Sequence, residues 1–139
     1  MMLRPMPRRQ EGVALLEALL AAVLLAIGLL GTIGLQARAY SALSEASMRA
    51  EATIAAERLL GVMTADSERL SDYKLDSGGS PGARLAPWYD ATRKSIPGAK
   101  VTVTVVPGSA GGAAAVTVAI SWQRKTGEPA NTHTVRGYI

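Results

Sequence analysis

The sequence predicts an α+β fold: one long N-terminal helix, apolar and then amphipathic, packed on a small antiparallel sheet of about three or more strands. Three observations predict it. Residues 13–35 are apolar except for Glu17 and Thr32, and the next thirty residues repeat small and apolar side chains at helical spacing without a proline. After residue 99, three stretches rich in Val and Thr alternate with a period of two. A length of 139 residues suggests one domain with no second lobe. The chain has no Phe and only Trp88 and Trp122, so its soluble part has a small core that leans on a helix for burial.

The first element, Val13 to Leu35, reads VALLEALLAAVLLAIGLLGTIGL. At about 1.5 Å per residue it spans roughly 34 Å, enough for the roughly 30 Å apolar layer of a bilayer. Arg4, Arg8 and Arg9 precede it, so the positive-inside bias puts the N-terminus in the cytoplasm and everything after Leu35 on the periplasmic side of the inner membrane. A secretory signal peptide would have a shorter apolar region followed by a small-residue cleavage site. Hydropathy alone leaves a plain signal anchor. Glu17 argues for more, because an ionisable side chain inside a membrane is costly unless it finds a partner or reaches the interface.

Residues 36–65 continue the helix. Ala52, Ala55, Ala56, Leu59, Leu60 and Met63 recur at spacings of three and four and make one apolar stripe, with Glu45, Arg49, Glu51 and Arg58 elsewhere around the helix. Ala is abundant and no proline occurs from Val13 to Ala65, so a single helix of about 53 residues, roughly 80 Å, is expected. Gly28, Gly31 and Gly34 can be read as small residues that let membrane helices approach closely. They can also be read as weak points, each lowering helix stability by about 1 kcal/mol relative to Ala.

Residues 66–139 form the exported domain. Its first part, 66–100, reads as a loop, punctuated at Ser77 to Gly82 and at Pro97-Gly98. Trp88 and Tyr89 are expected to anchor it to the sheet, with a carbohydrate or partner contact as the other reading. Lys100–Val106, Ala115–Gln123 and Thr132–Tyr138 are the expected strands of an antiparallel meander. No enzyme motif or cofactor is expected. The absence of Cys removes thiol chemistry and Cys-based metal sites, and His133 reads as a lone surface histidine. Asp66, Glu68, Asp72 and Asp76 make an acidic cluster that lacks the spacing of a calcium loop. The formal charge is +4, of which Arg4, Arg8, Arg9 and Glu11 supply a net two, and the remaining Lys and Arg are scattered among acids. Nucleic acid is therefore not an expected partner.

The junction RRQEGVALLE, with Gly12 before the apolar run and Glu17 five residues into it, resembles the class III signal of type IV prepilins. The resemblance implies a leader of residues 1–12, cut by a prepilin peptidase between Gly12 and Val13, with N-methylation of Val13. The family's usual first mature residue is Phe, and Val stands here. A glycine at the cut leaves the backbone accessible to the protease. Glu17, about one turn inside the new N-terminus, suits the helix dipole and can pair with the amine of a neighbouring subunit. The family likeness also implies partial unwinding of the assembled helix near Gly28, Gly31 and Gly34.

The segment AIGLLGTIGLQ is similar to the matching part of the type IV pilus modification (PilV) family of minor pilins. The likeness is densest over about residues 8–36, thinner to about 66, and architectural beyond. It implies a pilus subunit with other minor and major pilins, the prepilin peptidase and the inner-membrane assembly platform as partners, acting in assembly, twitching motility and adhesion. An I-type minor pseudopilin of type II secretion shares the leader and helix, and a DNA-uptake minor pilin is a further alternative.

Overall fold

The computed structural model describes residues 11–139. The arginines of the leader, Arg4, Arg8 and Arg9, lie outside the described residues. The fold is α+β, with one long helix and a three-stranded antiparallel sheet. The long helix, α1, spans Glu11–Ala65. The chain divides into two units, residues 1–42 and 43–139, and the boundary falls within this helix.

In the first unit every side chain from Gly12 to Tyr40 is exposed. Alanine and leucine keep the helix regular, and the absence of proline leaves its hydrogen-bond ladder uninterrupted. The apolar side chains have no cover from the described residues: Val13 is 69% and Leu35 68% exposed. This helix is long and apolar enough to cross a membrane.

In the second unit α1 acquires a buried face. Ala52, Ala56, Leu59 and Met63 are fully buried, while Ala55 and Leu60 are partly buried, so the apolar stripe expected from spacing is the core face. The helix ends as Asp66 leaves helical geometry, its N–H still bonded to the carbonyls of Val62 (3.1 Å) and Met63 (3.2 Å). A short 3-10 helix, Ser67–Tyr73, turns the chain and buries Leu70 and Tyr73. A second helix, α2 (Ala86–Ser95), starts with Pro87 in its first turn, where a missing N–H does no harm.

The strands are β1 (Lys100–Val106), β2 (Ala115–Trp122) and β3 (Asn131–Tyr138), in the order β1-β2-β3. Gly98, at φ +75°, allows the reversal that delivers the chain into β1. Val101, Val103 and Val105 pair with Ile120, Val118 and Val116, and these six side chains are all buried. The period-two pattern thus places one face of the sheet against the stripe of α1. Each fully buried side chain of this size contributes about 1.5–3 kcal/mol.

Two expectations need correction. Residues 66–100 are not one loop: the polar punctuation at 77–82 marks only the passage between two short helices. The flanking segments supply Leu70, Tyr73, Leu85 and Ile96 to the core. His133 is not a surface side chain. It belongs to the inward row of β3 with Val135 and Gly137, opposite buried Ile120, and is half-buried.

Candidate functional site

The N-terminal part of α1 carries most of the residues singled out from sequence. Gly12, Val13 and Glu17 occupy its first two turns. Glu17 lies four positions after Val13, about 6 Å along the axis. The side chains one turn from Glu17, those of Val13 and Ala21, are apolar. Among the described residues Glu17 is exposed and makes no hydrogen bond or ion pair. A single carboxylate therefore stands in an otherwise apolar exposed surface, with Thr32 the one other polar side chain of the run. Thr32 turns its hydroxyl back to donate to the Leu29 carbonyl at 2.8 Å.

Gly28, Gly31 and Gly34 lie within α1, which passes through them without a break. A Cβ at any of the three, or at Gly12, would meet nothing within 4 Å. Nothing inside the described chain therefore requires glycine at these positions. Any close approach they permit is to something outside the chain.

Within the second unit, a polar clip fixes the connection after α1. Asp66 accepts from Arg84 Nη1 at 2.7 Å, from the Tyr73 hydroxyl at 3.0 Å and from Arg69 Nη1 at 3.3 Å. Arg84 Nε also donates to Asp72 at 3.0 Å. Desolvation by itself pushes the Asp66 carboxyl up, but the Tyr73 hydrogen bond and the charges of Arg84 and Arg69 outweigh it and hold the group below its usual range. Burial first, and then the bond to Asp66, push the Tyr73 hydroxyl up. Asp66 and Asp72 are thus engaged by an arginine, and among the described residues no three acidic or histidine side chains converge on one point.

Trp88 anchors α2, but to α1 and not to the sheet: its Nε1 donates to the Ala55 carbonyl at 2.8 Å. Tyr89 is partly buried against the core, with the Arg93 guanidinium 5.7 Å above its ring. Trp122 Nε1 and His133 Nε2 are buried without a hydrogen-bond partner among the described residues.

The clip residues Tyr73 and Arg84 were not singled out from sequence. Arg84 lies 12 and 18 residues from its two carboxylates, too far for a helical or turn spacing to signal the contact. Trp88 was singled out, but its partner is a backbone carbonyl that carries no sequence signature. No family model, curated protein or solved structure matches the chain.

Proposed function

We propose that the chain is a minor subunit of a type IV pilus. It would be made as a prepilin in the inner membrane, cut after Gly12, N-methylated on Val13 and drawn into the filament through α1. One observation carries the reading: the only ionisable side chain of a 23-residue apolar run, Glu17, has no partner among the described residues and lies one turn after the Gly12–Val13 junction. A membrane anchor gains nothing from a carboxylate there, and bilayer insertion is less favourable for it. A subunit that must leave the bilayer and dock on a neighbour gains a selective contact. The carboxylate pairs with the amine freed at the next subunit's Val13, in surroundings where a charge pair is strong.

The exposed apolar surface supports the same reading, since it serves first as a membrane span and later as filament core. The small domain after residue 42 would stay on the periplasmic side and then at the filament surface. With no catalytic constellation proposed, the work of the chain is assembly, and through it twitching motility and adhesion. Other pilins, the prepilin peptidase and the inner-membrane platform are its partners.

Processing and assembly test this reading separately. Gly12→Glu should leave the leader attached, detected by mass spectrometry of the N-terminal peptide. The unaltered chain should yield a peptide that begins at Val13 and carries one added methyl group. Glu17→Leu should insert in the membrane and be cut as usual, yet be missing from sheared filaments. Full processing and incorporation of Gly12→Glu would overturn the proposal.

A further inference from the structure

The two edges of the sheet are treated differently. Ala114 and Ile139 exchange both backbone hydrogen bonds (2.6 and 2.9 Å), and the next pair in the register is Ala115 with Tyr138. Bonded and non-bonded pairs alternate along an antiparallel ladder. The N–H and C=O groups of Asn131, His133, Val135 and Gly137 therefore point to β2. Those of Thr132, Thr134, Arg136 and Tyr138 point away from it. Continued across β2, the same alternation turns Val101, Val103 and Val105 outward on β1, and there the chain covers the middle position itself. Leu75 donates to the Val103 carbonyl at 3.0 Å and accepts from its N–H at 2.9 Å.

Nothing corresponds to Leu75 on the other side. Among the described residues, no backbone hydrogen bond reaches the outward groups of β3. β3 has no proline or lysine, and its register with β2 runs over eight residues without a bulge. It thus lacks most of the devices that protect an exposed edge. The inward row of β3 is also incompletely covered. Val135 and Gly137 are half-buried, whereas their partners Val118 and Val116 are fully buried. One more strand beside β3 would satisfy the outward backbone groups and finish covering that row.

We infer that the open edge of β3 receives an extended, acidic strand from a different protein, which joins the sheet antiparallel to β3. Charge selects the occupant. The outward row of β3 carries Arg136 and no carboxylate, and Arg136 has no salt-bridge partner among the described residues. A strand with acidic side chains at its outward positions complements this face. A second copy of this chain fits poorly. Its own β3 brings Arg136 and no carboxylate to the outward face, so a β3–β3 pair would only add like charge there.

Hydrogen exchange on the full chain in detergent micelles tests the inference, with a capped nine-residue peptide of alternating Val and Glu as probe. Alone, the amides of Thr132, Thr134, Arg136 and Tyr138 should exchange fast, and those of His133, Val135 and Gly137 slowly. Saturating peptide should slow the four outward amides about ten-fold, as a newly paired backbone requires, while a Val–Lys peptide should not. Thr134→Pro removes one outward N–H and spares the ladder to β2. It should abolish the protection, whereas Thr134→Val should keep it.

Three outcomes would overturn the inference: no slowing at these amides, equal slowing by both peptides, or concentration-dependent protection without peptide, which would mark self-association. Cleavage at Gly12 plays no part in this measurement, so its failure would leave the pilin proposal standing.

Discussion

Leu59→Ala tests whether α1 is the core element of the second unit. Leu59 is fully buried, between the stripe positions Ala56 and Met63. The substitution removes three carbon atoms, about 2.4 kcal/mol of transfer free energy at about 0.8 kcal/mol per buried methylene. An unrelaxed cavity raises the loss toward about 5 kcal/mol. In a unit of 97 residues (43 to 139), about 1 kcal/mol shifts Tm by about 4–8 °C, so even the smaller figure lowers it by about 10–19 °C. Leu43→Ala, at a side chain 67% exposed on the same helix, removes the same atoms with about a third of the burial. It should therefore lose less than about 1 kcal/mol. The full chain in detergent should be melted with tryptophan fluorescence as the probe. Both tryptophans, Trp88 and Trp122, lie in the second unit, whereas far-ultraviolet dichroism would mix in the apolar half of α1. Equal melting of the two variants would refute the assignment of this face of α1 as the core.

Two further outcomes are expected. The Tyr73 hydrogen bond and the Arg84 and Arg69 charges hold the Asp66 carboxyl below the ordinary Asp value in the folded chain, so its contribution is present above the ordinary value and is lost as pH falls through the lower folded value. Urea midpoints measured between pH 5 and pH 2 should therefore fall on acidification for the natural chain, and Asp66→Asn should start lower and show a smaller fall. Gly108→Ala should destabilise the β1–β2 connection, because the added Cβ would run into the Gly112 carbonyl oxygen, a backbone atom with no rotamer to escape into. A loss of about 1–3 kcal/mol is expected for such overpacking, measured by urea titration. An unchanged midpoint would show that the 107–114 turn relaxes freely.

The parts of the fold legible in the sequence are those set by periodicity. Val and Thr alternation located all three strands to within a residue, because a sheet with one buried face admits a single register of inward side chains. The stripe from Ala52 to Met63 was legible for the same reason. Residues 66–100 were not. Their two short helices are held by contacts distant in sequence, such as Arg84 with Asp66 and Trp88 with the Ala55 carbonyl, and local propensity cannot register these. His133 was misjudged because its position beside a turn was weighed above its parity in the strand. In the first unit, Gly12, Val13, Glu17 and the three glycines were legible as a pattern. Their physical meaning depends on surroundings, bilayer or neighbour, that lie outside a single chain.

That dependence accounts for the contrast between the two units. From Met48 onward α1 finds its cover within the chain: the stripe meets the sheet, Trp88 clamps a carbonyl, and Asp66 ends the helix in a set of arginine contacts. Among the described residues, the apolar run 13–35 of the same helix is exposed throughout and bears one carboxylate, Glu17. Apolar cover alone could come from lipid, and a segment selected only to sit in lipid would have an apolar side chain in place of Glu17. Keeping the carboxylate where insertion is less favourable by a few kcal/mol makes sense if a second environment returns more than that. An oppositely charged group in a dry interface can do so. Under the proposed function, a subunit interface built around the Val13 amine would supply such a group, and lipid alone would not.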